Sequence, residues 1–245
     1  MIDAERRQSR AADASLFRRR PARTSGAIAV VLAAVAIALV ADDPGQRRIL
    51  AVALVGVTGF IAGGTLWRRD RSAGVTVVAV AVAIIGTLVL VSALGLGLTR
   101  PPRYVERIEL LPGLAGLWLL AAGLVPLRLG SERVLVDAGT GLVFLTVLAG
   151  GVIQSSPPRT LLLAGVVTIV AWDIAENAVS LGGQLGVAAG TVRAEAIHAV
   201  GTGVVGAATV GLVLFINGLN VDGVPFAGLI AMLVAGVALT LFYNR

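Results

Sequence analysis

The chain contains no cysteine and no lysine, and its one histidine is His198. Without cysteine there is no disulfide framework, no thiolate metal site and no thiol nucleophile. One histidine excludes multi-histidine metal sites and haem pairs, and argues against di-iron arrangements. All 20 basic residues are arginine, which reads as a high-GC coding bias rather than a mechanism. Charged residues make up 14% and aromatics 4% of the chain. A soluble domain carries about 25% charged residues, so a water-facing surface of ordinary composition is excluded. The net charge of +6 does not imply nucleic acid. The arginines flank apolar stretches instead of forming a basic face, and the aromatics that would stack bases are scarce.

Apolar residues are abundant: 57% of the chain, with a mean hydropathy of +0.92. They fall into eight long stretches, Thr24–Ala41, Ile49–Trp67, Ala73–Leu98, Ile108–Leu127, Val134–Ile153, Thr160–Leu181, Ala194–Ile216 and Val221–Tyr243. Runs of about 18 or more apolar residues span a hydrocarbon core. The expected fold is therefore all-α, a polytopic transmembrane bundle of eight spans over residues 24–245, preceded by a basic tail over residues 1–23. Connectors such as Asp42-Asp43-Pro44-Gly45, Arg100-Pro101-Pro102-Arg103, Ser155-Ser156-Pro157-Pro158 and Asn217-Gly218-Leu219-Asn220 combine helix-stopping residues with polarity.

Arginine placement sets the expected orientation. With the tail in the cytoplasm, fourteen arginines lie inside (Arg6, Arg7, Arg10, Arg18, Arg19, Arg20, Arg23, Arg68, Arg69, Arg71, Arg128, Arg133, Arg193 and Arg245). Six lie outside: Arg47, Arg48, Arg100, Arg103, Arg107 and Arg159. Both termini are thus expected in the cytoplasm. Trp67, Trp172 and Tyr243 fall at the inner boundary, as an aromatic belt would place them. The order of basic residues then apolar run in the first span also fits a cleaved signal peptide, but no clean small-x-small site follows it.

Small residues mark close helix contacts in lipid. Gly59-x-x-x-Gly63 in the second span and Gly203, Ala207 and Gly211 in the seventh are candidates, read first as packing within the chain. Pro112 is expected in the first turn of the fourth span, and Pro126 at its end.

Polar side chains concentrate at the sixth and seventh spans. Asp173, Glu176, Asn177 and Ser180 share a face at i, i+3, i+4, i+7, and Gln184 extends it if the helix continues. Thr191, Glu195, His198 and Thr202 form a second stripe. A short turn makes the two helices antiparallel neighbours, so Glu176 and Glu195 are expected at similar depth with Arg193 close enough to neutralise one. Ionisable groups at membrane depth cost a few kcal/mol and so face an interior, a cavity or each other. Three readings stand: a solvated hairpin with the sixth span ending near Ala171, a ligand or proton site, and a docking surface for a partner. Glu195-x-x-His198 resembles half of a carboxylate metal motif, but its second histidine is missing. Asp137 and Arg133, one turn apart, read as an interfacial ion pair, and Glu109 and Asp222 as carboxylates at helix starts.

No Gly-x-Ser-x-Gly elbow, His-Glu-x-x-His or phosphate-binding Gly-Lys loop occurs, and neither paired aspartates nor several histidines lie at depth. The chain is read as non-enzymatic, with no catalytic residues, metal or cofactor. The candidate polar cluster is Asp173, Glu176, Asn177, Arg193, Glu195 and His198.

The segment from Trp172 to Gly186, with Trp172-Asp173, Asn177-Ala178-Val179 and Leu181-Gly182-x-Gln184, is followed by Arg193-x-Glu195-x-x-His198. It resembles the C-terminal signature of an uncharacterised haloarchaeal family of multi-pass membrane proteins encoded near MoxR-type AAA ATPases. The likeness covers about 30 residues and is compositional elsewhere; the arginine-only charge set departs from the acidic habit of halophiles. The resemblance implies an accessory role in a membrane-associated assembly system and carries no activity over. The expectation is a cell-membrane scaffold or accessory subunit whose partners are the bilayer and a membrane or cytoplasmic protein. A small-solute or ion transporter coupled through the carboxylate and histidine cluster is the alternative.

Overall fold

The computed structural model describes residues 23–69, 72–100, 104–125, 131–153, 156–184 and 192–218. These hold seven helices: α1 (Arg23–Val40), α2 (Pro44–Arg69), α3 (Ala73–Thr99), α4 (Tyr104–Leu124), α5 (Glu132–Ile153), α6 (Pro158–Gln184) and α7 (Val192–Gly218). No strand occurs among the described residues. The expected eighth span, nearly all of the basic tail, and Pro126 lie outside the described residues. Five helices are long and apolar enough to cross a membrane; the apolar parts of α1 and α4, Thr24–Val40 and Glu109–Leu124, are shorter.

The helices begin earlier than hydropathy suggests, and local chemistry explains why. α2 starts at Pro44 because Asp43 accepts hydrogen bonds from the backbone N–H of Gly45 (2.6 Å) and Gln46 (3.2 Å). Asp at the N-cap and Pro in the first helical position are the residues a helix start favours. Arg47 then donates its Nε to the Ala41 carbonyl at 2.9 Å, tying the turn to the end of α1. At α4 the same extension, back to Tyr104, corrects the placing of Pro112: it lies inside the helix, not in its first turn. The Ile108 carbonyl consequently receives no bond from position 112.

The chain divides into two compact units, Met1–Ala207 and Ala208–Arg245; of the second, only the last turns of α7 are described. Within the first, two hairpins pack backbone against backbone. In α2 and α3, a Cβ at Gly63 would lie 2.5 Å from the Ala83 nitrogen, and one at Gly56 2.8 Å from the Gly86 carbonyl. The Gly59-x-x-x-Gly63 face is therefore used within the chain. In α4 and α5, a Cβ at Gly116 would lie 2.5 Å from the Gly139 carbonyl. Glycine permits this approach, which is how helices gain dispersion contacts where the surrounding tails are equally apolar.

α1 packs mainly against α6, and also against α5 and α4. Its Ala29, Ala33, Ala36 and Ile37 are fully buried, with Leu114, Leu117 and Leu120 of α4 beside them in one core. α3 is the opposite case: Val77, Ile85 and Leu88 are more than half exposed. Its outer face carries no group that water would need to reach, as a lipid-facing helix requires. Gly203 and Ala207 of α7 are exposed, and among the described residues nothing lies within 4 Å of a Cβ built at Gly203.

Candidate functional site

The polar residues of α6 sit on packed helix, not beyond its end, whereas α7 is largely exposed. α6 continues to Gln184, and Ala171, Ile174, Ala175 and Ala178 on its other face are buried in the bundle. The helix thus runs through the expected sixth span, Thr160–Leu181, and past it. The apolar faces of the two turns after Ala171 hold the helix in place, which keeps Asp173, Glu176 and Asn177 against neighbouring helices.

Each carboxylate has its own partner. Asp173 Oδ2 accepts a hydrogen bond from Thr202 Oγ1 at 2.6 Å and lies 2.8 Å from His198 Nε2. The imidazole contact is close in distance but lies off the line of the ring N–H, so His198 Nε2 has no aligned hydrogen bond. His198 and Thr202 reach the same carboxylate because they are one turn apart on α7. A Cβ built at Gly206 would lie 2.9 Å from Val170 Cγ2 and 3.2 Å from Val166 Cγ1, so glycine there leaves room for the two valines of α6.

Glu176 pairs with Arg133 from the first turn of α5. This corrects two expectations, that Arg193 would neutralise a cluster carboxylate there and that Arg133 would pair with Asp137. Arg193 is exposed. Arg133 crosses to α6 because Glu176 is mostly covered, its side chain 24% exposed, and a desolvated carboxylate gains more from a counter-charge than an exposed one. Asp137, exposed, accepts instead from the indole Nε1 of Trp172 at 2.8 Å. These two residues border a shallow groove of about 410 Å³ lined also by Thr140, Phe144, Thr168 and Ile169.

Glu195 goes elsewhere again. It is 3% exposed, and its Oε2 accepts from both the backbone N–H and the hydroxyl of Ser25 at 3.0 Å. Ser25 lies in the first turn of α1, where backbone N–H groups have no partner inside the helix and the local charge is positive. Glu195 thus supplies the N-terminal acceptor for α1 while lying in the first turn of α7. The expected meeting of Glu176 and Glu195 around Arg193 is replaced by two separate attachments.

The arrangement joins four helices at one end: α1 through Ser25–Glu195, α5 through Arg133–Glu176 and Asp137–Trp172, and α6 to α7 through Asp173 with His198 and Thr202. Some capacity is left over. Buried atoms without a hydrogen-bond partner include Glu176 Oε2, Asn177 Nδ2 and His198 Nε2, all in this cluster. Among the described residues, no three of the histidine and carboxylate side chains converge in a metal-holding group. Gln184 and Thr191 side chains lie outside what is described. Ser25 and the partners of Arg133 and Trp172 escaped the sequence reading, because each lies far along the chain from the group it meets and only the helix order brings them together.

The fold and this interhelical polar cluster define an all-helical protein of membrane-spanning composition. The chain belongs to a family of unknown function, DUF7519, whose model matches residues 76–240. That match includes the whole of the α6–α7 cluster. No curated protein and no solved structure matches the chain.

Proposed function

We propose that this is an eight-span cell-membrane protein, with both termini in the cytoplasm, that acts as a non-enzymatic scaffold or accessory subunit. In this reading the α6–α7 hairpin around Glu176–His198 presents a surface to a membrane or cytoplasmic protein partner. The observation that carries it is the partnering of the carboxylates. Asp137, Asp173, Glu176 and Glu195 are each engaged by a side chain or backbone group of another helix. Carboxylates spent on cross-links hold helices in register, whereas a coupled transporter needs carboxylates free to exchange their partners with solute. Arg193, exposed at the start of α7, is the charge that the hairpin offers outward. The positive-inside bias and the arginine-rich tail support the orientation.

The test is a crosslinking pull-down from native membranes, with wild type compared against Arg193→Glu and a Glu176→Ala/Glu195→Ala/His198→Ala triple variant. A stoichiometric partner that Arg193→Glu loses, while the protein stays folded, supports the scaffold. No partner with any of the three proteins would sink it.

One observation favours the transporter reading. Glu176 Oε2, Asn177 Nδ2 and His198 Nε2 are buried without a hydrogen-bond partner, and His198 Nε2 lies 2.8 Å from Asp173 Oδ2. Buried polar atoms normally find partners, so a run of unsatisfied ones suits a path for protons or a small solute.

A further inference from the structure

We propose that Gln46, Glu109 and Thr146 form a binding site for a dehydrated sodium ion, at the end of α1 opposite the Ser25–Glu195 attachment. The three come from α2, α4 and α5, and they are among the most covered polar groups of the protein. Gln46 and Glu109 are 2% exposed and Thr146 is 1% exposed. Together with Ile37, Val40, Ala41 and Leu110 they line a gap too narrow to admit a water molecule.

Gln46 points to the ligand. Its Oε1 is buried in that gap and accepts no hydrogen bond. A buried amide oxygen without a donor is costly, and no water can reach this one. A cation satisfies such an oxygen directly.

The neighbouring groups complete an all-oxygen set. Thr146 Oγ1 donates to the Glu109 carbonyl at 3.0 Å, which commits its hydrogen and leaves its lone pairs as acceptors. Glu109 contributes a carboxylate whose Oε1 lies against Gly150; a Cβ there would approach that oxygen to 3.0 Å. Glycine at position 150 therefore leaves the room the carboxylate occupies. Glu109 has a further interaction within the protein, so an ion would be one neighbour of its carboxylate and not the sole one.

The chemistry selects the ion. Oxygen ligands without imidazole or thiolate favour hard cations over transition metals. The lining holds a single carboxylate, which balances one charge and would leave a divalent ion under-neutralised in a dry interior. Magnesium also keeps several of its waters, and this gap has no space for them. A bare sodium ion makes shorter contacts to oxygen than water does, which the narrow gap allows. Potassium is larger and fits less well.

The experiment uses the full chain in lipid nanodiscs. Its thermal midpoint is measured at equal ionic strength in sodium, potassium and N-methylglucamine chloride. Sodium at about ten times its dissociation constant should raise the midpoint by roughly 3–6 °C, saturably, and the other two cations should not. Gln46→Leu, which removes the amide oxygen, should abolish the sodium response. Equal midpoints in all three salts, an equal rise with potassium, or a response retained in Gln46→Leu would each overturn the proposal. Should Gln46→Leu fail to fold, equilibrium dialysis of the wild type against radioactive sodium decides. Saturable binding of one ion per chain, displaced by unlabelled sodium and not by potassium, is expected, and its absence would count against the site.

Discussion

Ser25 and Glu195 stand 170 residues apart and share two hydrogen bonds of 3.0 Å in the interior of the protein. The contact gives α1 its N-terminal acceptor and fixes where α7 starts. It carries the largest single stability expectation at this end of the bundle. Hydrogen bonds to a charged group contribute about 1.5–3 kcal/mol, and truncation also strands the Ser25 donors. Glu195→Ala should lower stability by about 2–4 kcal/mol, Glu195→Gln by less and Ser25→Ala by about 1 kcal/mol. Denaturant titration in mixed micelles measures all three, and equal stabilities for Glu195→Ala and wild type would remove the role assigned here.

The glycine contacts between α2 and α3 make a paired prediction. Gly63→Leu places atoms where the Ala83 backbone lies and should separate the hairpin, costing about 3 kcal/mol or more by overpacking. A Cβ at Gly95, exposed on α3, meets no atom of the described residues within 4 Å, so Gly95→Leu should be tolerated. Thermal midpoints of the two variants give the comparison, and the contact fails as an explanation if they shift alike.

Arg133 has a choice between Asp137, one turn along its own helix, and Glu176 across the helix pair. The structure assigns Glu176. A double-mutant cycle should find coupling for Arg133 with Glu176 and none with Asp137. Because the Arg133 side chain is 63% exposed, the coupling should stay below about 1 kcal/mol. Coupling confined to Asp137 would restore the local pair that spacing alone suggests.

Much of the bundle was legible in the sequence, because hydropathy reports burial in lipid directly. Seven of the expected spans coincide with α1 to α7 to within a few residues at most ends. The larger departures, at α2 and α4, come from polar residues such as Asp43, Arg47 and Glu106 that belong to the helix or its cap yet count against hydropathy. The candidate cluster was legible as a set of residues and not as a set of bonds. Periodicity puts Asp173 and Glu176 on one face, and it placed His198 and Thr202 on one stripe. It cannot say that Ser25 and Arg133 come to meet them, since that depends on α1 and α5 lying beside α6. Gln46, Glu109 and Thr146 were invisible as a group for the same reason.

The absence of cysteine makes orientation directly measurable. Single cysteines at Arg48, Arg159 and Arg193, all exposed positions, can be labelled in intact cells with an impermeant maleimide. The first two should react and the third only after permeabilisation. The same samples bear on α1, whose Ala29, Ala33, Ala36 and Ile37 are fully buried in the core. Intact-mass measurement should find α1 retained, since cleavage after Ala41 would remove the centre of the bundle.

The account rests on a polar cluster that holds helices together instead of moving protons or solute. The most direct measurement is proton flux into proteoliposomes under an imposed pH gradient, with wild type compared against His198→Ala and Asp173→Asn. The account predicts that wild type conducts no faster than protein-free vesicles and that the variants match it. Flux in the wild type that either substitution abolishes, with the variant still folded, would contradict it and assign the Asp173–His198 pair to transport.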